Sequence, residues 1–373
     1  MVRGHPVKGT VFCFFRETPE RVNLLNGQGD AAQGSYLFAG ADRYAAHGWK
    51  ADFNLNHLPH PKVRAAGNIL SRLFFKAGGY GGDFATVLTN LRRANRADVV
   101  FSTVDTVGIP LAFFRRLGLL RRPLVYMSIG LCERLDGMRD AYLKRRQVKS
   151  LQQCALVAGY GWEEVRRLQL LLGPGCPTRF MPFGVDVESW QPRGATKTVD
   201  VLSLGADIQR DFSALKAFAA RNPARRVKII TTDDHRKQSG QMPPNVEFAG
   251  LVPLSLVAQE MAAARVIALP VRENTYSGAT TTLLQAMSME LPAVVSSVGA
   301  VREGYGLKND RNCCLVAPGD AEAMAAALEK LLNNPEQAAA LGKAARAHVK
   351  ADLNWANYVN RLIELLDFAA GGS

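Results

Sequence analysis

No run of eighteen apolar residues occurs in the 373-residue chain, so no segment reads as a membrane-spanning helix. The amino terminus, MVRGHPVKGTVFCFF, lacks a long apolar stretch closed by a small-residue cleavage site and predicts no secretory leader. Cysteine is sparse and unpatterned: Cys13, Cys132, Cys154, Cys176, Cys313 and Cys314 include no CxxC pair, which argues against a zinc ribbon or a disulfide framework and for reduced, cytosolic usage. The six histidines show no HExxH or related ligand spacing, so the sequence predicts no dedicated metal site.

Acidic residues are also short in number, 33 against 46 basic ones, and the deficit is uneven. Residues 1–190 hold 26 of the Lys and Arg and 15 of the Asp and Glu, a net +11, whereas the remainder carries a net +2. A chain of this length with 47% hydrophobic residues can build two cores, so we expect two domains, the first of them basic. Within it, LAFFRRLGLLRRPLVY at 111–126 and SRLFFKAGGYGG at 71–82 interleave Phe and Leu with Arg and Lys. That composition suits a surface resting on anionic headgroups, and equally solvated faces over buried aromatics. Contact with nucleic acid is a third reading, but no nucleic-acid recognition module accompanies the charge.

The densest signal is VRENTYSGATTTLLQAMSMELPAVVSSVGA at 271–300. A polar, glycine-containing turn (Asn274 to Gly278) leads into Thr280, Thr281 and Thr282, then a helix-compatible run and a buried-strand run. The first turn of a helix offers unpaired N–H groups and a partial positive charge, a natural seat for a diphosphate. Gly278 would allow close backbone approach, and the threonine hydroxyls would add donors. The competing reading is a helix whose own Ser277 or Thr280 caps it.

Three further segments stand in a telling order around this turn: RFMPFGVDVESWQP at 179–192, NVEFAGLVPLSLVAQEMAAARVIALPV at 245–271 and NCCLVAPGDAEAMAAALEKLLNNPE at 312–336. With PFGVD at 182–186, YSGATTTLLQAM at 276–287, LPAVVSS at 291–297 and LVAPGD at 315–320, the chain resembles the retaining, nucleotide-sugar-dependent glycosyltransferases of the GT-B fold, in particular their large family-4-type group. The resemblance implies an α/β architecture of two Rossmann-like doubly wound domains facing a central cleft. We expect an acceptor-binding domain over 1–190, a donor-binding domain over 191–352 and a helix over 353–373 that crosses back to the first domain.

By the same resemblance, the diphosphate of a nucleoside diphosphate sugar would sit over Gly278, Ala279, Thr280 and Thr281. Gly205 and Arg210, in the loop after VDVLSLG, would meet its phosphates, and the nucleobase would meet the loop at Leu251 and Val252. Arginine suits the task because its planar fork donates bidentately to phosphate oxygens, though a surface pair of Arg210 with Asp207 or Asp211 would also explain it. Many relatives carry two glutamates flanking this turn; here Ser277 and Gln285 occupy those places. Gln285 keeps an acceptor for a ribose hydroxyl but not the charge, and Glu273 is the nearest acid able to supply it, unless it is an ordinary loop acid.

In the first half, short apolar runs at 9–15, 97–103 and 123–130 alternate with helical segments, the pattern of a parallel sheet. Ligands of such sheets bind beyond the strands' carboxyl ends, which nominates Arg16 and Arg21 after the first run, Asp105 after the second, and Ser128, Gly130 and Glu133 after the third. Asp105 and Glu133 join Arg210 as catalytic candidates, and Arg16, Arg21, Ser128 and Gly130 are acceptor-binding candidates; each also suits an ordinary loop or cap. The expected activity is retaining transfer of a sugar to a glycan or lipid-linked acceptor by a cytoplasmic protein lying peripherally on the inner membrane face, with no metal or other cofactor. A catalytically silent GT-B-like subunit and a sugar-nucleotide epimerase or hydrolase are the alternatives.

Overall fold

A computed structural model describes residues 7–28, 34–55, 57–76 and 81–371. Part of one segment singled out above, 77–80, lies outside the described residues. The chain divides into two compact units, Met1–Met181 with Val359–Ser373, and Pro182–Tyr358.

Unit 1 is built on strands β1 (Gly9–Phe14), β2 (Trp49–Phe53), β3 (Val99–Ser102), β4 (Leu124–Ser128), β5 (Leu156–Gly159) and β6 (Thr178–Phe180). They form one parallel sheet in the order β2-β1-β3-β4-β5-β6. Parallel neighbours require crossover connections, here helices, and strands covered on both faces read as unbroken apolar runs: VVFS and LVYMS are buried throughout. Phe12, Phe14, Phe84, Phe114 and Tyr126 anchor the core beneath the helices Phe84–Ala94 and Asp105–Arg116. SYLFAGADRYAAHG yields a short helix Gly34–Leu37 and a 3₁₀ turn Ala41–His47, because Ala39 and Gly40 take left-handed backbone (φ 52° and 75°) that no helix continues through. Gly48 closes the segment in the left-handed region, the conformation glycine adopts without penalty.

Val359–Ser373, grouped with unit 1, is the later part of the helix Trp355–Gly371. Asp367 of that helix accepts from Trp49 Nε1 and pairs with Lys8, each at 2.8 Å, and Arg179 lies over the Phe368 ring.

Unit 2 contains β7 (Val199–Leu204), β8 (Val227–Ile230), β9 (Val246–Ala249), β10 (Ala264–Leu269), β11 (Ala293–Ser296) and β12 (Cys314–Val316). The parallel order is β9-β8-β7-β10-β11-β12, so the direction of winding reverses between β7 and β10, which are paired directly through Val266↔Val201 and Ile267↔Leu202. A crevice opens beyond the carboxyl ends of the two strands flanking such a reversal, and ligands of this sheet type lodge there. Two of the motifs read in the sequence are joints. The helix Ala321–Asn333 starts where Asp320 accepts from Ala323 N–H, and its Met324, Leu328 and Leu331 enter the core. A Cβ on Gly184 would lie 2.6 Å from Tyr358 Cβ, so PFGVD packs onto the start of the helix Trp355–Gly371.

Candidate functional site

The loop after β7 and the segment after β10 are stitched together by backbone bonds: Arg272 N–H to Gln209 O at 2.8 Å and Asp211 N–H to Pro270 O at 3.1 Å. This fixes Arg210 at the reversal point. Its side chain is only 4% exposed and lies against Gly205, where a Cβ would come within 2.3 Å of the guanidinium. Gly205 also has φ 145°, which side-chain-bearing residues rarely adopt, so glycine is required here for two reasons.

Arg210 Nη2 donates to Thr282 Oγ1 at 3.4 Å, while Nε and Nη1 are buried with no partner among the described residues. Burial pulls the guanidinium down to about 10, with Asp207 opposing the fall. A buried donor without an acceptor costs about 1–3 kcal/mol, and more when charged. Arg210 is therefore held in a state that an anion would relieve.

Thr282 belongs to the first turn of the helix Thr280–Ser288. Ala279 occupies the N-cap position in the left-handed region (φ 55°), and no side chain caps the helix. The self-capped alternative is thereby removed: neither Ser277 nor Thr280 fulfils that role. Asn274, 5% exposed, shapes the preceding turn. Its Nδ2 donates to Arg272 O and Ser277 O, and its Oδ1 accepts from Tyr276 and Ser277 N–H. The sequence reading missed Asn274 and Thr282 as organising residues; an Asn opening a polar turn is the signal that could have found the first.

Several expectations are corrected. Gly278 does not leave room for a ligand on its Cβ side, because Val301 Cγ1 would lie 2.1 Å from that atom; the glycine serves packing. Glu273 does not supply the missing glutamate's free charge, since Gly299 N–H donates to it at 2.7 Å and Arg302 pairs with it at 3.0 Å. Gln285 is buried on the helix, with 5% exposure. Leu251 is exposed and Val252 partly so, in the loop after β9.

The unit 1 candidates are for the most part scaffold. Asp105 is 2% exposed and accepts from Tyr126 Oη, Ile129 N–H and Arg134 Nε, which leaves no role as a catalytic base. Burial lifts its carboxyl to about 6 against the pull of Arg134 and Tyr126. Ser128 and Gly130 are not open to an acceptor either. Ser128 Oγ (2.6 Å), Gly130 N–H (2.9 Å) and Leu131 N–H (2.8 Å) all donate to Glu164 Oε1, a fully buried carboxyl that burial raises to about 8. Glu164 was missed because WEEV reads as the exposed acidic start of a helix. Arg21 donates to Leu37 O and Arg16 O and stacks on Phe15, so it clamps its own loop, and Arg16 itself is exposed. Glu133 is half-buried in the helix Leu131–Asp136.

Among the described residues, no group of three or more His, Cys, Asp or Glu is placed to hold a metal ion. No described helix is long and apolar enough to cross a membrane.

Residues 212–334 match the family described as "Glycosyl transferases group 1". Over 228 residues the chain is 24% identical to the GDP-mannose-dependent monoacylated alpha-(1-6)-phosphatidylinositol monomannoside mannosyltransferase of Corynebacterium glutamicum, covering 54% of this chain and 59% of the relative. It is 26% identical over 201 residues to the MMP alpha-(1->4)-mannosyltransferase of Mycolicibacterium hassiacum, covering 51% and 48%. The chain thus spans about half the length of the curated relatives it matches. Among solved structures, it is similar to sucrose-phosphate synthase from Thermosynechococcus elongatus (TM-score 0.71, 17% identity, 98% of this chain and 100% of that one). It is also similar to Anabaena HepE in complex with UDP and glucose (TM-score 0.68, 14% identity, 96% and 99%). The chain carries a glycosyl transferases group 1 domain and is built on the GT-B fold.

Proposed function

We propose that this protein is a retaining glycosyltransferase that moves a sugar from a nucleoside diphosphate sugar to a glycan or lipid-linked acceptor at the cytoplasmic membrane face. The observation that carries the reading is Arg210, buried at the strand reversal with Nε and Nη1 unmatched, beside a helix start that no side chain caps. In the proposed reaction the anomeric C–O bond to the diphosphate breaks and its electron pair stays on the phosphate oxygen. The acceptor oxygen forms the new bond on the same face, and its proton passes to the departing phosphate. Arg210 and the N–H groups of the helix's first turn stabilise the charge that develops there, without reorganising at the moment of reaction. We assign no metal to this chemistry, since fixed donors occupy the role of a cation. The relatives named above include one that uses GDP-mannose and one bound to UDP, so the base is left to experiment.

Peripheral membrane contact is assigned to unit 1. Its helix Pro61–Lys76 has Lys62, Arg64, Arg72 and Lys76 exposed, contains no acid, and presents Ile69, Leu73 and Phe75 to solvent. That is the make-up of a helix lying on an anionic interface.

A second reading, a catalytically silent subunit, is favoured by one observation: Gln285 and Ser277 stand at the usual glutamate positions while Glu273 is engaged by Arg302. Thermal unfolding with UDP, GDP, ADP and dTDP and their sugar conjugates separates the two. A ligand at a hundred times its Kd adds about 2.7 kcal/mol to the folded state. Stabilisation by one nucleotide family that disappears in Arg210→Ala supports the transferase; no response from any of them leaves the silent subunit.

A further inference from the structure

Unit 1 contains an apolar pocket that the nucleotide reading does not use. Its volume is about 360 Å³, within the range of ligand pockets, and it lies among the helices Pro61–Lys76, Asp105–Arg116, Leu131–Asp136 and Ala141–Leu151. Ile109, Phe113, Leu131, Leu135 and Met138 form its wall. Leu73 and Leu117 also line it, and both are more than half exposed, so the apolar lining runs out to the surface.

Two features make it a binding site of defined chemistry. Gln147, 8% exposed, lines the pocket, and its Nε2 is buried with no hydrogen-bond partner among the described residues. A buried amide donor at the edge of a largely apolar cavity calls for an acceptor oxygen from whatever enters. Arg116 and Arg146 line the same pocket, and neither forms an ion pair among the described residues. They donate instead to neutral groups: Arg116 to Arg146 O, and Arg146 to the Tyr142 hydroxyl. The neighbouring acids are engaged elsewhere: Asp105 with Arg134, Asp136 with Lys144 and Arg167, and Asp140 with the N–H groups of Tyr142 and Leu143.

We propose that this pocket lodges an acyl chain of an anionic bilayer phospholipid, with Gln147 Nε2 donating to a lipid oxygen and Arg116 and Arg146 facing the phosphate. A single chain holds a protein to a membrane only marginally, and a chain combined with basic residues holds it stably. The exposed basic face of Pro61–Lys76 supplies the second contribution. The site does not depend on the nucleotide assignment, because none of its residues belongs to unit 2.

The test measures binding of monomeric dihexanoyl phosphatidylglycerol to the full chain by calorimetry, against dihexanoyl phosphatidylcholine and chainless glycerol phosphate. Saturable binding of the phosphatidylglycerol is expected, weakened about tenfold by Met138→Trp, which fills the cavity. Gln147→Leu, of nearly the same shape, weakens it with the thermal transition unchanged, so a folding failure of the tryptophan variant leaves the question decidable. Arg116→Gln with Arg146→Gln removes the preference for phosphatidylglycerol over phosphatidylcholine. The proposal is overturned if the wild type binds neither lipid, if glycerol phosphate binds as well as the lipid, or if Gln147→Leu leaves the affinity unchanged. Glycosylation of the phosphatidylglycerol by added nucleotide sugar, seen by mass spectrometry, would make the lipid an acceptor and overturn its role as an anchor.

Discussion

The two units bury charge in opposite ways. In unit 1 the buried carboxyls take donors from their own unit: Asp105 is met by a phenol, an amide and a guanidinium, and Glu164 Oε1 by a hydroxyl and two amides, although Glu164 Oε2 is left without a partner among the described residues. In unit 2 the buried Arg210 meets one threonine hydroxyl at 3.4 Å and leaves two nitrogens unmatched among the described residues. Satisfied buried charge holds turns in place, whereas unsatisfied buried charge costs stability and persists where a ligand completes it. Burial alone does not separate the two units: both carboxyls hold turns of their own unit, whereas Arg210 has a single long bond to Thr282.

Arg210→Met should break this contrast most severely. We expect glycosyl transfer to fall by about 10²–10³, the usual cost of removing one charge-stabilising donor. The nucleotide-dependent thermal shift should vanish, yet the ligand-free protein should melt no lower than wild type, since an unmatched buried cation has been removed. A lower melting temperature without ligand would mean that Arg210 is structural. Gly205→Ala comes next: its Cβ would collide with the guanidinium, and φ 145° would be strained, together costing about 1–3 kcal/mol of stability and part of the nucleotide response. Denaturant titration with and without nucleotide measures both.

On the unit 1 side, Glu164→Gln should alter the pH dependence of folding. A carboxyl raised in the folded state contributes stability in full below its unfolded pKa, near the ordinary value of 4.5, and loses it as pH rises through about 8. Wild-type unfolding free energy should therefore decline from about pH 5 to about pH 8, and the variant's should be flatter across that window. Equal slopes would show that Glu164 is not the group responsible. The smallest effect is expected for Glu273→Gln, which loses an ion pair whose two side chains are each more than half exposed. It should cost less than about 1 kcal/mol and leave the nucleotide shift intact. Loss of that shift would restore Glu273 to the donor site.

Much of the architecture was legible in the sequence because buried parallel strands announce themselves as short apolar runs: VDVLSL, RVKII, NVEFA and PAVVS each became a strand of unit 2. The loop after VDVLSL was legible as a loop, and the structure sets its Gly205 and Arg210 against each other at the strand reversal. The site was less legible where a residue's duty depends on partners distant in sequence. Gly278 answers to Val301, Glu273 to Arg302 and Ser128 to Glu164, and no local pattern encodes such pairings. Arg21, read as a ligand for an acceptor, proved to be bonded to the carbonyls of its own loop.

The helix Trp355–Gly371 carries a consequence for how the chain is made. Trp49 and Lys8 emerge early from the ribosome, but Asp367, which binds both, follows only after all of unit 2 has been synthesised. Domains generally fold as they emerge, the earlier first. Here unit 1 must wait with the β2 edge of its sheet lacking this partner, so chaperone dependence during synthesis should fall on the first-made unit and end when the helix docks.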